Sequence, residues 1–190
     1  GYHGEDIIDR VNEYIEIYQD NLLSLPSSER QAILIKYALP KNIDNIKTAL
    51  SHYNIDYDVW FSEKSLYEND EINSTIRQLD ELGYTYTKEG ATWFACTKLG
   101  SEKDEVLIRN NNLPTYFAAD IAYHRNKFIA RKFDKVINLL GADHHGHVAR
   151  MKTAVKALGI NPNNLEIVLF QLVHLFKNGE KVRMSKRTGR

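Results

Sequence analysis

The second half of the chain alternates between helical and strand-like patterns. Apolar residues at helical spacing cover 116–130 and 147–158, and short aliphatic runs cover 135–140 and 166–173. Strands that alternate with helices usually lie side by side in parallel, so this order predicts an α/β fold with helices packed on a parallel sheet. Val136–Leu140 has the continuous apolar run of a buried strand, and a ligand-binding loop is expected at its carboxyl end.

Three regions are predicted along the chain. Residues 1–55 are expected to form a helical segment, and residues 56–113 a strand, a helix and a small antiparallel insertion. Residues 114–190 carry the parallel half of the fold. Before residue 114 four helices are predicted, over 5–25, from the Pro26–Glu29 break to 39, over 40–53 and over 67–82. Strands are predicted over 57–61, 84–87, 92–96 and 106–109.

Composition excludes several classes of protein. The chain has 25 basic and 25 acidic side chains, so only a local basic patch could attract nucleic acid. The lone Cys96 excludes an internal disulfide framework and a site built from several thiolates. The sequence has no apolar run near the roughly 20 residues that span a bilayer, and no signal-peptide core. A cytoplasmic protein without membrane partners is expected.

The loop after the buried strand is rich in polar side chains. Gly141 is expected to let the chain turn at the sheet edge, Asp143 offers a carboxylate, and His144, His145 and His147 offer ring nitrogens near a helix N-terminus. A metal site is one alternative, but adjacent histidines lack the i,i+4 spacing of helical ligands and no thiol lies nearby. No metal site is therefore predicted, and a structural role for at least one histidine stays open.

A second constellation is Tyr116 with Asp120. Thr115 is a plausible N-cap, and a helix that starts at Tyr116 places these two side chains one turn apart on the same face. A carboxylate and a phenol edge can supply the planar acceptors that a guanidinium needs. The alternative is that Tyr116 packs in the core and Asp120 is a solvated helix residue.

The third constellation is at the C-terminus. Asn178-Gly179 is the two-residue turn preferred in hairpins, and the hairpin leads into Arg183–Arg187, where flexible cations surround Ser185. Such cations suit a triphosphate, and a mobile cation that arrives as charge builds on the leaving phosphates favours rate over ground-state binding. A solvated basic tail is the alternative.

Taken with the run Pro114–His124, these motifs resemble class I aminoacyl-tRNA synthetases, in particular arginyl-tRNA synthetases of the bacterial type. The resemblance covers essentially the whole chain. It implies a partial Rossmann-like nucleotide-binding fold and a ligase that activates L-arginine with ATP and transfers the arginyl group to tRNA(Arg). ATP is expected as a substrate with Mg²⁺, and no tightly bound cofactor is expected.

The resemblance also implies roles for single residues. Tyr116, Asp120 and His144 would bind arginine, and Asp143 and His147 would lie toward ATP. Val182 and Met184 would bring backbone groups to the adenine, and Ser185 would contact phosphate. Lys186 and Arg183 would be the catalytic cations, with Lys186 also bound to ATP. The sequence departs from the family's Lys-Met-Ser-Lys-Ser form at both ends, where it has Arg183 and Arg187.

The family's His-x-Gly-His signature has one near match, Tyr2-His3-Gly4-Glu5, which lacks the second histidine. The chain is therefore expected to be a piece of a longer protein, without its N-terminal and anticodon-binding portions, and inactive by itself. An alternative is a non-catalytic nucleotide- or RNA-binding module of the same superfamily. A nucleotidylyltransferase is a third possibility, but it would not explain Tyr116 and Asp120.

Overall fold

The structure is a computed structural model, and it describes residues 4–19, 21–171 and 173–182. The chain divides into two compact units. One contains the residues up to Trp60 together with those from His174 onward, and the other is Phe61–Val173. None of the helices in the described ranges combines the length and apolar character that a membrane crossing requires.

Helices and strands follow in the order expected for a mixed fold. The helices are α1 (Glu5–Tyr18), α2 (Ser27–Ser51), α3 (Lys64–Glu68), α4 (Glu71–Glu81), α5 (Tyr116–Arg125) and α6 (His145–Ala157). The strands are β1 (Thr85–Lys88), β2 (Ala91–Phe94), β3 (Glu105–Ile108), β4 (Val136–Gly141), β5 (Leu165–Phe170), β6 (Leu175–Lys177) and β7 (Glu180–Val182).

In the first unit α1 and α2 associate through aromatic rings and a charged cluster. The ring of Tyr14 lies 4.8 Å from that of Tyr18 and 5.2 Å from that of Tyr37. Glu13 accepts from Arg10 at 2.8 Å and from Lys41 on α2 at 2.5 Å, and these hydrogen bonds lower its pKa to about 2. The two helices thus meet along a narrow seam.

Two predictions for this unit are wrong in their boundaries. The helix predicted over 5–25 ends at Tyr18, because Gln19 adopts a positive φ of 63°. The two helices predicted on either side of residue 40 are one, since α2 continues through Pro40. Proline removes one N–H and crowds the preceding turn, but here the helix tolerates that loss.

The predicted strand at 57–61 is also wrong, because these residues form no strand. A strand needs a neighbour that supplies hydrogen bonds, and no described strand pairs with this segment. Its aromatic residues make side-chain contacts instead. Trp60 meets Tyr57 edge to face at 5.4 Å between ring centroids, and the ammonium of Lys47 lies 5.4 Å from the Trp60 ring.

The second unit contains a three-stranded antiparallel sheet in the order β1-β2-β3, which confirms the predicted insertion. Glu89 and Gly90, with φ of 54° and 74°, form the tight turn between β1 and β2. Gly83 caps α4 with φ of 76°, a conformation that glycine adopts at little cost. The helix predicted over 67–82 is divided into α3 and α4 at Asp70, which has φ of 56°.

The parallel pair β4–β5 confirms the predicted α/β fold. Its register runs from Val136 beside Leu165 to Gly141 beside Phe170. The core below it joins the parallel and antiparallel parts through side chains that are almost completely buried. These include Leu66, Leu79, Phe94, Leu107, Ile121, Met151 and Leu165.

The hairpin β6–β7 belongs to the first unit and pairs Leu175 with Val182. Asn178 and Gly179 have φ of 53° and 82°, so the predicted two-residue turn is confirmed. Both central residues of such a turn need positive φ, which Asn and Gly adopt at least cost.

Candidate functional site

The start of α5 is fixed by a side-chain cap. Thr115 Oγ1 accepts a hydrogen bond from the backbone N–H of Ala118 at 3.2 Å and donates one to the carbonyl of Val106 at 2.9 Å. The cap is the predicted one, and its second bond ties the helix to β3. The helix therefore places Tyr116 and Asp120 one turn apart on one face.

Both predicted arginine-binding residues on α5 face outward. Tyr116 is 80% exposed, so the alternative in which it packs in the core is wrong. The Asp120 side chain is 47% exposed and lies between core and solvent. Tyr116 also lines a cavity of about 520 Å³, together with Trp93, Arg109 and Arg150. Aromatic side chains and charged side chains of both signs thus gather beside the start of α5.

The loop after β4 brings one histidine to Asp120. Ala142–His144 forms a short 3-10 turn and α6 begins at His145. His147 then lies in the first turn of α6, with its Nε2 3.3 Å from Asp120 Oδ2. Its side chain is only 11% exposed. The expectation that Gly141 provides a special turn is wrong, because its φ of −65° is open to any residue.

The other residues of this loop are more open to solvent. His144 Nε2 lies 4.0 Å from Asp143 Oδ2, and both side chains are more than half exposed. The rings of His144 and His147 meet edge to face at 6.5 Å between centroids. His145 is exposed. Nowhere in the described ranges do three His, Cys, Asp or Glu side chains gather as a metal site would require.

Burial governs the electrostatics of the Asp120–His147 contact. It raises the pKa of Asp120, although Arg150, Lys127 and His144 oppose that rise. It lowers the pKa of His147, and the positive charge of Arg150 lowers it further. Both shifts favour neutral forms. Burial therefore works against an ion pair between the imidazole and Asp120.

A buried network holds the backbone of α5 at Asp120. His124 is 4% exposed, its Nδ1 lies 2.7 Å from the carbonyl oxygen of Asp120, and its Nε2 lies 2.7 Å from Asn138 Nδ2. The carbonyl of Asp120 can only accept, so Nδ1 of His124 carries the proton. Nε2 then accepts a hydrogen bond from the side-chain amide of Asn138 on β4. Lys127 donates to Asn138 Oδ1 at 3.2 Å. Burial lowers the pKa of His124 to about 4 and that of Lys127 to about 8.

Sequence reasoning missed Arg150 as well as this network. Arg150 Nε donates to His147 Nδ1 at 2.9 Å, and its NH1 lies 3.8 Å from Glu105 Oε2 on β3. The i,i+3 spacing of His147 and Arg150 could have indicated the first contact. No sequence signal indicates the second, because the two residues are far apart in the chain.

The predicted nucleotide-binding residues are only partly described. Val182 is the last residue of β7 and is 39% exposed. Arg183, Met184, Ser185, Lys186 and Arg187 lie outside the described residues. Their assigned roles stay predictions.

Comparison with known proteins identifies the family. Residues 10–190 match the family model "tRNA synthetases class I (R), catalytic domain". The arginine–tRNA ligase of Acetivibrio thermocellus is 64% identical over the whole chain, which covers 34% of that protein. The arginine–tRNA ligase of Caldanaerobacter subterraneus subsp. tengcongensis is 60% identical with the same coverage.

Solved structures agree. The crystal structure of a Campylobacter jejuni protein described as an arginyl-tRNA synthetase has a TM-score of 0.84 and 40% identity, covering 96% of this chain and 39% of its own. An arginyl-tRNA synthetase of Thermus thermophilus has a TM-score of 0.64 at 16% identity, covering 85% of this chain and 35% of its own, and supports the fold alone.

The match covers nearly the whole chain and defines a class I tRNA synthetase catalytic domain. The chain belongs to the (R) family of that class, whose relatives named above are arginine–tRNA ligases. It spans about a third of the length of the curated relatives that it matches.

Proposed function

We propose that the chain is a segment of the catalytic domain of an arginine–tRNA ligase, which activates L-arginine with ATP and transfers the arginyl group to tRNA(Arg). The observation that carries the proposal is the outward-facing pair of Tyr116 and Asp120, one helical turn apart. The whole enzyme would act in the cytoplasm, with ATP as its Mg²⁺ complex.

The chemistry of this pair suits a guanidinium ion. A carboxylate can accept two parallel N–H bonds from a planar guanidinium, and a phenol adds an oxygen acceptor or an aromatic face. Asp120 is half-buried and its pKa is raised mainly by burial. An unpaired charge is therefore costly at this position, and a cationic ligand would compensate it. His144 would complete the arginine end.

The same family resemblance assigns further residues to ATP. Asp143, His147, Val182, Met184 and Ser185 would contact ATP. A carboxylate oxygen of arginine would attack the α-phosphorus, and the bond to the pyrophosphate oxygen would break. Lys186, with Arg183 as a second cation, would stabilise the charge that builds on the leaving group.

The segment by itself would not form the adenylate. The relatives are about three times as long, and adenylate formation requires both substrates to be held in line. Mixing the purified 190-residue chain with arginine, ATP and labelled pyrophosphate should give no exchange above background.

The test of the proposal is Asp120→Asn in the full-length enzyme that contains this segment. Loss of the charged acceptor should raise the KM for arginine by a factor that corresponds to roughly 2–4 kcal/mol and should weaken discrimination against citrulline. The matched control is Asp134→Asn, an exposed residue of the same unit, which should leave both quantities unchanged.

An unchanged KM for arginine in Asp120→Asn would show that this carboxylate does not bind the substrate. Nucleotide binding by the full-length protein without any arginine-dependent pyrophosphate exchange would instead identify a non-catalytic binding module.

A further inference from the structure

Arg150 determines which ring nitrogen of His147 carries the proton. Its Nε lies 2.9 Å from His147 Nδ1, and a guanidinium can only donate. His147 Nδ1 must therefore accept, so a neutral ring carries its proton on Nε2. That nitrogen lies 3.3 Å from Asp120 Oδ2, and the ring thus presents an N–H toward the carboxylate.

Arg150 is itself held from two other elements. Its guanidinium carbon lies 5.1 Å from the centre of the Phe117 ring on α5, and its NH1 lies 3.8 Å from Glu105 Oε2 on β3. The Glu105 side chain is 19% exposed, and that of Arg150 is 38% exposed. These contacts give the guanidinium a defined direction, which an exposed arginine would lack.

Burial and the neighbouring cation favour the same neutral ring, and the carboxylates around His147 oppose them. Asp120 faces it from α5, Glu105 from β3, His144 from the preceding turn and Arg150 from its own helix. Burial and Arg150 lower the pKa of His147, and Glu105 raises it only as the smallest contribution. A protonated ring could not accept from Arg150, so the geometry agrees with the effects of burial and of that cation.

We propose that Arg150 is a positioning residue of the arginine site: it fixes the tautomer of His147, and the ring then orients the carboxylate of Asp120 for the substrate guanidinium. This inference rests on the proposed function for the role of Asp120. The tautomer itself does not depend on that function, so the two can fail separately.

The first experiment measures the tautomer by ¹⁵N NMR of the histidine-labelled full-length enzyme that contains this segment, at pH 7. The wild-type ring of His147 should be neutral with its proton on Nε2. Arg150→Met should give a mixture of both tautomers, because it removes the donor that makes His147 Nδ1 an acceptor. The pKa of His147 should also rise, because a neighbouring positive charge is lost. Lys156→Met, which removes an exposed cation of the same helix, should keep the wild-type pattern.

The second experiment measures steady-state kinetics in the full-length enzyme. Arg150→Met should raise the KM for arginine about tenfold, the order expected for losing one hydrogen bond to a charged group, while kcat changes less than about twofold. Arg150→Lys, which keeps the charge but loses the planar donor, should recover only part of the affinity. If Arg150 had only a structural role, Arg150→Met would lower the yield of folded enzyme, and the KM for arginine would not rise selectively over the change in kcat.

A proton on Nδ1 of His147 in the wild type, or an unchanged tautomer in Arg150→Met, would overturn the inference. So would an unchanged KM in Arg150→Met when Asp120→Asn raises it. If Asp120→Asn has no effect on KM, the proposed function fails instead, and the NMR result still decides whether Arg150 sets the tautomer.

Discussion

Helices α2 and α5 differ in length, in burial and in how far the sequence predicts them, because α5 begins at the predicted residue and α2 joins two predicted helices. The longer one, α2, has 25 residues and none of them is buried. Of the ten residues of α5, six are buried: Phe117, Ala118, Ala119, Ile121, Ala122 and His124. Helix α5 is buried around much of its circumference, whereas α2 contacts α1 only along a narrow seam.

The difference shows why the candidate site lies where it does. Asp120 stands on a helix whose backbone is held by a side-chain cap at Thr115 and by the buried His124–Asn138 network. A group that must recognise a ligand needs such support, because a displacement of a fraction of an ångström weakens directional bonds. Regions with few buried apolar side chains unfold locally at a lower free-energy cost. Helix α2, in which no residue is buried, is such a region.

The largest expected effect comes from the core of the second unit. Leu79→Ala in α4 removes a completely buried side chain and should lower the free energy of unfolding by about 2–5 kcal/mol. Ile35→Ala in α2, where the side chain is 59% exposed, is the matched control and should change it by less than about 0.5 kcal/mol.

Urea unfolding can follow each unit separately. The chain has two tryptophans, one in each unit, so Trp60→Phe leaves Trp93 to report on the second unit and Trp93→Phe leaves Trp60 for the first. Equal costs for the two alanine variants would contradict the contrast between the buried core of the second unit and the exposed residues of α2.

Acid should weaken the second unit through His124. Burial lowers the pKa of His124 from the ordinary histidine value of 6.5 to about 4 in the folded chain, so the unfolded chain binds the additional proton. The stability that the buried neutral His124 gives the folded chain is therefore complete above about pH 6.5 and is lost as the pH falls toward 4. Between pH 7 and pH 5 the loss is about 2 kcal/mol.

Unfolding at both pH values, in wild type and in His124→Gln, measures this loss. The variant should be less stable at pH 7 and should lose less stability on going to pH 5. An NMR titration that places the pKa of His124 above 6 would show that burial does not keep this ring neutral.

The smallest expected effect concerns the start of a helix. Thr115→Ala removes the cap of α5 and its bond to β3 and should cost about 1 kcal/mol. Ser28→Ala, an exposed residue in the first turn of α2, has no such role and should stay within about 0.5 kcal/mol of wild type. If both changes cost the same, the start of α5 depends on packing and not on its cap.

Local chemistry in the sequence determined much of the fold. Asn178-Gly179 forms the predicted hairpin turn, and Thr115 starts α5 as predicted. Glu89-Gly90 forms a second tight turn, and Gly83 ends α4. Each of these depends on the conformational preference of one or two residues, and that preference is the same wherever the residue type occurs. The alternation of periods after residue 114 likewise gave the parallel pair, because a buried strand and an amphipathic helix differ in spacing wherever they occur.

The tertiary structure alone decided what depends on distant partners. Residues 57–61 have the composition of a strand, but no strand of the described ranges pairs with them. Helix α2 passes through Pro40, although proline alone favours a helix boundary. The sequence predicted that Tyr116 and Asp120 share a face, since that follows from helical spacing. The approach of His147 to Asp120 and of Arg150 to Glu105 required α5, α6 and β3 to pack, because contacts between elements depend on the fold as a whole and leave no local pattern in the sequence.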